Sequence, residues 1–304
     1  MFITGEAPTR AGFVALIGAP NAGKSTLINR LVGTKVAIVS HKVQTTRSTI
    51  RGIAISGRSQ IIFVDTPGIF RPKRRLDRAM VDTAWGGARD ADVVALLIDA
   101  ASGIGDDESN IVRTLAHISC PKVLLLNKID LVKRENLLAL AARANASLPF
   151  DRTFMISALS GDGLDDFVGY LAETVPEGPW LYPEDEISDV PLRNLAAEIT
   201  REKLFERLHQ ELPYQATVET DEWKEQKDGS VRVAQTIFVE RDSQKKIVVG
   251  KGGATIKAIS MAARKEIAEL AETPIHLFLF VKVRQNWADD PERYRAMGME
   301  FPKG

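Results

Sequence analysis

Cysteine is almost missing from this chain. Cys120 is the only one in 304 residues, which excludes an internal disulfide and a cysteine metal cluster and fits a reducing, cytoplasmic compartment. Long apolar runs are missing too: none approaches the ~20 residues that span a bilayer. The opening Met1-Phe-Ile-Thr-Gly-Glu-Ala-Pro-Thr-Arg10 has no basic head followed by an apolar stretch, so it does not read as a secretory signal. There is no excess of charge of either sign: 40 Lys/Arg balance 40 Asp/Glu. Any attraction for nucleic acid must therefore come from local patches, not from a global field. Internal repeats and low-complexity tracts are absent as well.

What is present is globular in composition, 44% hydrophobic and 26% charged, at a length that implies two domains. Up to about residue 175, near-continuous apolar runs alternate with helical patterns such as Ser109–Ser119 and Arg134–Ser147. The runs are Phe13–Ile17, Ile61–Val64, Val93–Ile98, Val123–Leu126 and Phe154–Ile156. Strands of that kind are buried on both faces of a parallel sheet, and the alternation predicts a doubly wound α/β domain with ligand loops at the carboxyl ends of its strands. Proline and acid then concentrate between Val175 and Pro191, which reads as a stiffened linker. Beyond it a helix is expected over Asn194–Glu211, and strands over Tyr214–Trp223 and Val231–Arg241 with a turn at Asp228-Gly229. An apolar segment Lys246–Val249, a loop, a helix from Ala254 to Ala271 and a strand His276–Val283 complete an α+β module. The expected division is 1–178 for the first domain, 179–191 for the linker and 192–304 for the second domain.

The run Phe13–Ile17 feeds Gly18-Ala19-Pro20-Asn21-Ala22-Gly23-Lys24-Ser25, and Thr26–Leu31 then reads as the first turns of a helix. Strand, glycine loop, helix in that order is the phosphate-binding loop of nucleotide hydrolases. Its backbone N–H groups and the helix N-terminus attract phosphate, Lys24 can reach the β- and γ-phosphates, and the Ser25 hydroxyl can ligate Mg²⁺. Asp65-Thr66-Pro67-Gly68 follows the strand Ile61–Val64. There Asp65 can hold Mg²⁺ through water, and the Gly68 N–H can contact a γ-phosphate. Between them lies Gln44-Thr45-Thr46-Arg47, where a threonine hydroxyl could complete the Mg²⁺ shell; Thr46 is favoured over Thr45, although the pair also suits a strand start.

Asn127-Lys128-Ile129-Asp130 closes the strand Val123–Leu126. The Asp130 carboxylate can accept from guanine N1–H and the exocyclic amine, a donor pair adenine does not offer. A site built for those donors rejects the wrong base by leaving polar groups unpaired. Asn127 can brace the loop, the Lys128 stem can pack beside the ring, and Ser157-Ala158 would offer a backbone N–H to guanine O6. These four motifs, each at a strand end, resemble the translation-factor-like GTPases over roughly the first 175 residues. The resemblance implies Mg²⁺-dependent hydrolysis of GTP to GDP, with Lys24, Asn21, Thr46 and Gly68 as the residues placed to act in it. One departure stands out. Where many small GTPases place a water-orienting glutamine after Asp-x-x-Gly, this chain has Ile69. In GTPases resembling this one, an asparagine at the place of Asn21 helps to bind K⁺, and a cation there would stabilise developing negative charge; the alternative is that Asn21 simply supports the loop. Arg47 and the cluster Arg71-Pro-Lys-Arg-Arg75 read as solvated charges.

A second glycine loop, Gly250-Lys251-Gly252-Gly253, precedes the helix that carries Lys257. A Gly-x-x-Gly turn of this kind is the clamp of a KH domain, which holds about four nucleotides. From Arg241 to Lys265, seven Lys/Arg, including Lys245 and Lys246, stand against one acid, Asp242. Such local charge suits a nucleic-acid backbone. A second nucleotide loop is the weaker alternative, because no Gly-Lys-Ser/Thr ending follows; an ordinary glycine-rich helix start is the other.

A P-loop GTPase domain followed by an α+β type II KH domain resembles a family of bacterial ribosome-assembly GTPases. Leu212-Pro-Tyr, Val239–Lys246 and Trp287-Ala-Asp-Asp290 extend that resemblance over nearly the whole chain. It implies binding to the 3′ end of small-subunit ribosomal RNA and to the immature small subunit, by a monomer, with loose peripheral association at the inner face of the membrane. GTP is expected to order the Gln44–Arg47 and Asp65–Ile69 loops and so to set the orientation of the RNA clamp. Two further readings compete: a GTPase switch on a membrane surface or a protein partner, and an RNA-binding module that holds GTP without turnover.

Overall fold

A computed structural model describes residues 8–40, 42, 45–208 and 212–302. The opening residues 1–7, Gln44, and the tail 209–211 of the helix expected over Asn194–Glu211 lie outside the described residues. The chain divides into two compact units, one made of residues 1–36 and 46–189, the other of residues 37–45 and 190–304.

The first unit is a six-stranded sheet in the order β2-β3-β1-β4-β5-β6. Its strands are β1 (Arg10–Gly18), β2 (Ile50–Ser56), β3 (Ser59–Asp65), β4 (Val93–Asp99), β5 (Lys122–Asn127) and β6 (Arg152–Ile156). All neighbouring pairs are parallel except β2 with β3. The middle of β1, Val14–Ile17, and of β5, Val123–Leu126, is wholly buried, as two helical layers require. The helices are α1 (Lys24–Val32), α2 (Arg75–Asp90), α3 (Asp106–Leu115), α4 (Arg134–Ser147) and α5 (Leu164–Thr174). β1 lies between β3 and β4, so the strand order reverses at its carboxyl end, and a crevice for ligand opens there.

Several elements differ from the sequence expectation. The helix expected over Ser109–Ser119 starts earlier, at Asp106, where three acids occupy its first turn and favour the helix dipole. β2, α2 and α5 are additional. β2 alternates only loosely, with a glycine in mid-strand, and is held by antiparallel pairing with β3 from Ile50↔Asp65 to Ser56↔Ser59. The proline-rich stretch is pinned onto this edge. The buried Gln60 amide accepts from the backbone N–H of Leu181 (2.8 Å) and Tyr182 (3.0 Å) and donates to Tyr182 O (2.8 Å). Farther along, the Ile53 N–H donates to Ile187 O at 2.9 Å.

The second unit is a three-stranded sheet, β7 (Ala216–Glu225), β8 (Val231–Val239) and β9 (Ile275–Val283), in that order. β8 is antiparallel to β7 and parallel to β9. Helices α6 (Leu192–Arg207), α7 (Asp242–Val249) and α8 (Ala254–Leu270) complete its core, and a short α9 (Pro291–Ala296) follows. The apolar segment Lys246–Val249 lies inside α7 and not in an extended stretch: eight residues are helical, with Gln244 and Val248 turned inward. Four residues were too few to show that period. Residues 37–45 belong to this unit, where the Val39 N–H donates to Glu202 Oε1 at 2.7 Å and the buried Arg201 guanidinium donates to Thr45 O.

Candidate functional site

The loop between β1 and α1 is shaped by close approaches that exclude side chains. Gly23 has φ 100°, and a Cβ there would lie 2.2 Å from Asn127 Nδ2. The Lys24 ammonium is folded back under the loop and donates to Gly18 O and Ala19 O, both at 3.1 Å. Burial lowers its pKa to about 8, although Asp65 opposes the shift. Fewer competing waters and a fixed position make this cation a strong partner for phosphate.

Three hydroxyl and carboxyl groups converge beside it. Ser25 Oγ donates to Asp65 Oδ2 at 2.8 Å and lies 2.9 Å from Thr46 Oγ1, which is 3.3 Å from the same carboxylate oxygen. Burial pushes the Asp65 carboxyl above its ordinary range, with Lys24, Ser25 and Thr46 pulling the other way. Its second oxygen, Oδ1, is buried with no hydrogen-bond partner among the described residues. An orphaned buried oxygen beside two hydroxyls is a hard donor set that suits Mg²⁺. Thr66 is spent on structure, donating from Oγ1 to Leu16 O at 2.9 Å. Gly68 lies against Pro20, where a Cβ would come within 2.9 Å of backbone, and the following Ile69 N–H donates to Gly18 O at 3.0 Å. The Ile69 side chain is buried in a cluster with Ala19, Ala84 and Ala88. Asn21 is left-handed at φ 64°.

Asn127 joins three loops. Its Nδ2 donates to Ala22 O at 2.8 Å and its Oδ1 accepts from the Ala158 N–H at 2.9 Å, both buried. Lys128, left-handed at φ 65°, donates from Nζ to Asp99 Oδ2 at 2.6 Å. Burial works against the charge of Asp99, but Lys128 and the N–H groups of Ala101 and Ser102 outweigh it and hold the carboxyl below its ordinary range. Asp99 belongs to none of the sequence motifs, although an acid closing an apolar strand is a visible signal. Asp130 is exposed and open to a base. The Ser157 N–H donates to Asp162 O at 3.0 Å, so both backbone donors of Ser157-Ala158 are engaged within the protein, and contact from Ala158 to a base oxygen would be a shared bond.

In the second unit, Gly250, Gly252 and Gly253 all have positive φ, at 74°, 60° and 80°. They do different things. A Cβ on Gly250 would strike Thr255 Oγ1 at 2.2 Å, whereas nothing lies within 4 Å of one on Gly252 or Gly253. The first glycine folds the turn onto α8, and the other two leave an open backbone face. Beside it a cavity of about 510 Å³ is lined by Asp242, Lys245, Lys246, Val249, Gly250 and Lys251. Lys257 is exposed on the next turn of α8.

Residues 13–128 match the family described as "50S ribosome-binding GTPase", and residues 211–288 match the KH domain family. GTPase Era of Rhizobium meliloti (strain 1021) is 70% identical over 299 residues, 98% of this chain and 96% of that protein. The chain belongs to the Era family. GTPase Era of Agrobacterium fabrum (strain C58) is 67% identical over 99% of this chain and 96% of its own length. Among solved structures, Era in complex with MgGDPNP and nucleotides 1506–1542 of 16S ribosomal RNA is 38% identical, with a TM-score of 0.90 over 95% of this chain and 99% of that one. An Era variant from Aquifex aeolicus bound to GDP and AlF₄⁻ matches with the same identity, score and coverage. Like its Era relatives, the protein is a GTP hydrolase, with a P-loop GTPase domain followed by a KH domain. Among the described residues, no helix is long and apolar enough to cross a membrane.

Proposed function

We propose that this GTPase acts in assembly of the small ribosomal subunit, holding the single-stranded 3′ end of its RNA in the KH clamp. The observation that carries the reading is the open Gly252-Gly253 backbone beside a cavity lined by Lys245, Lys246 and Lys251. A strand's phosphates can approach that backbone closely while the ammonium groups replace counterions. The Era structure solved with nucleotides 1506–1542 of 16S ribosomal RNA supports the choice of RNA.

In the GTPase unit, Gly18–Ser25 wraps the phosphates, Lys24 neutralises the β- and γ-phosphoryl oxygens, and the Gly68 N–H faces the γ-phosphate. Ser25, Thr46 and Asp65 would hold Mg²⁺, a reading supported by the Era neighbour solved with MgGDPNP. When bound, the ion neutralises charge that develops on the phosphates. Asp130 reads guanine through N1–H and the exocyclic amine, with Asn127 and Lys128 fixing the loop that carries it. The buried Ile69 leaves no hydrogen-bonding side chain after Gly68 to orient water. Asn21 offers a neutral amide oxygen to K⁺, a donor type that hard cations accept. Turnover faster in K⁺ than in Na⁺ is expected, and equal rates would remove that role.

Val39 and Thr45 are hydrogen-bonded to Glu202 and Arg201 of the KH unit, and the residue after Thr45 is the proposed Mg²⁺ ligand Thr46. A change of ligand at Thr46 thus pulls on a segment anchored to the RNA-binding unit, which couples the two events. The test is binding of the 1506–1542 RNA segment with GTP analogue, GDP and no nucleotide, for the natural chain and for Gly252→Asp. Gly252→Asp should abolish RNA binding and leave GTP hydrolysis in place. Unchanged RNA affinity in Gly252→Asp refutes the clamp, and equal affinities in all three nucleotide states refute the coupling.

A further inference from the structure

The exposed cations Arg71, Lys73 and Arg74 lie in the turn that leads into α2, and exposed Arg78 follows within its first turn. With Arg75 they make five basic residues in eight, against one acid, Asp77. That acid is buried, and its Oδ2 accepts from the backbone N–H of Lys73 (3.0 Å) and Arg74 (2.9 Å) to cap the helix. Arg71, Lys73 and Arg78 have no ion-pair partner among the described residues. Cations at a helix N-terminus oppose its dipole, so the sequence breaks a local rule here, as functional sites often do.

A second feature adjoins the cluster. A cavity of about 380 Å³ opens between α2 and α3, with Ile69, Phe70, Arg71, Trp85, Asp107 and Asn110 in its lining. Apolar and aromatic walls come from Ile69, Phe70 and Trp85, and Asp107 supplies a carboxylate acceptor, whereas the Asn110 Oδ1 already accepts from Arg113. A cation at the cavity, Arg71, with aromatic walls and a carboxylate acceptor complements the groups an unpaired nucleotide presents: phosphate, ring face and exocyclic amine. An unpaired nucleotide engages the cations, the aromatic walls and the acceptor together.

We propose that this face is a second RNA contact: Arg71, Lys73 and Arg78 hold the backbone of a single strand, and one unstacked base enters the cavity. The proposal rests on the reading of this chain as RNA-binding. It also gives the RNA access to the nucleotide site. Ile69, in the cavity wall, donates its N–H to Gly18 O of the phosphate loop at 3.0 Å, so a base seated there biases the segment that faces the γ-phosphate.

The test measures binding of the 1506–1542 RNA segment over a salt series, and GTP turnover with and without it, in four proteins: the natural chain, Arg71→Ala/Lys73→Ala/Arg78→Ala, Gly252→Asp, and all four changes combined. Loss of three phosphate contacts lowers the slope of log affinity against log salt by about 2 for a single strand. The triple variant is expected to show that fall, to keep its basal turnover, and to lose any change in turnover that RNA produces. Crosslinking with 4-thiouridine-substituted RNA should label the peptide carrying Phe70 or Trp85. An unchanged slope together with crosslinks confined to the KH unit overturns the proposal. If Gly252→Asp weakens binding and the triple variant does not, the second contact fails and the clamp stands; the converse leaves the second contact and removes the clamp. Phosphatidylglycerol vesicles serve as a parallel probe: a triple variant that loses vesicle binding and retains full RNA binding assigns the cluster to lipid and overturns the proposal.

Discussion

Asn127→Ala is the most informative single change in the nucleotide site. The amide makes two buried hydrogen bonds, to Ala22 O at 2.8 Å and from the Ala158 N–H at 2.9 Å. Its removal leaves a carbonyl and an N–H unpaired, at about 1–3 kcal/mol each. Relaxation and entering water reduce the sum, so we expect about 2–4 kcal/mol in all. The loss divides between two measurements. Any part that water relieves in the free protein reappears when the nucleotide expels that water, so lost stability and lost affinity should together reach this total. If all of it fell on binding, affinity would drop about 30- to 700-fold. Urea unfolding of the nucleotide-free protein and equilibrium titration with a fluorescent GDP measure the two parts. Gly23→Ala supplies the coupling test. Its methyl would meet Asn127 Nδ2 at 2.2 Å, and φ 100° strains any side chain. Because both changes disturb one contact, the double variant should lose clearly less than the sum of the singles. If Asn127→Ala changes both quantities by less than about 0.5 kcal/mol, below the low end of an ordinary net hydrogen bond, the view of Asn127 as the tie between three loops is wrong.

Three other outcomes follow from the same geometry. Asp130→Asn exchanges an acceptor pair for a donor and an acceptor; GTP affinity should fall roughly 100-fold, and xanthosine triphosphate, which offers the matching pair, should bind better than to the natural protein, as competition titration would show. Nucleotide affinity should be flat below pH 8 and decline above it by up to tenfold per pH unit. The reason is that Lys24 loses its proton near pH 8 in the free protein, whereas phosphate holds that proton on in the complex. A profile with no break near pH 8 that Lys24→Arg leaves unaltered would refute the assignment. Gln60→Ala removes the three hydrogen bonds that pin Leu181 and Tyr182. We expect about 2 kcal/mol of lost stability and faster hydrogen exchange at those amides, and unchanged exchange there would show that the strap is held by other contacts.

Local order was enough to identify the chemistry. Strand, glycine loop and helix in succession leave few conformations for Gly18–Ser25, the motifs at Asp65 and Asn127 each follow an apolar run whose period is visible in a single stretch of chain, and the glycines at Gly250–Gly253 mark a turn before a periodic helix. The P-loop GTPase domain, the KH domain and the guanine nucleotide were therefore legible without coordinates. Only the tertiary structure decided how distant residues meet. It placed Asp99 against Lys128, tied Ala22 and Ala158 through one amide, left Asp65 Oδ1 without a partner among the described residues, and buried Ile69. It also gave residues 37–45 to the second unit and turned a proline-rich stretch into a strap across β2 and β3. These facts depend on contacts between residues far apart in sequence, and hydrophobic period and turn chemistry carry no record of such pairings. They arise from packing, where each buried donor and acceptor has to find whichever partner the fold brings near.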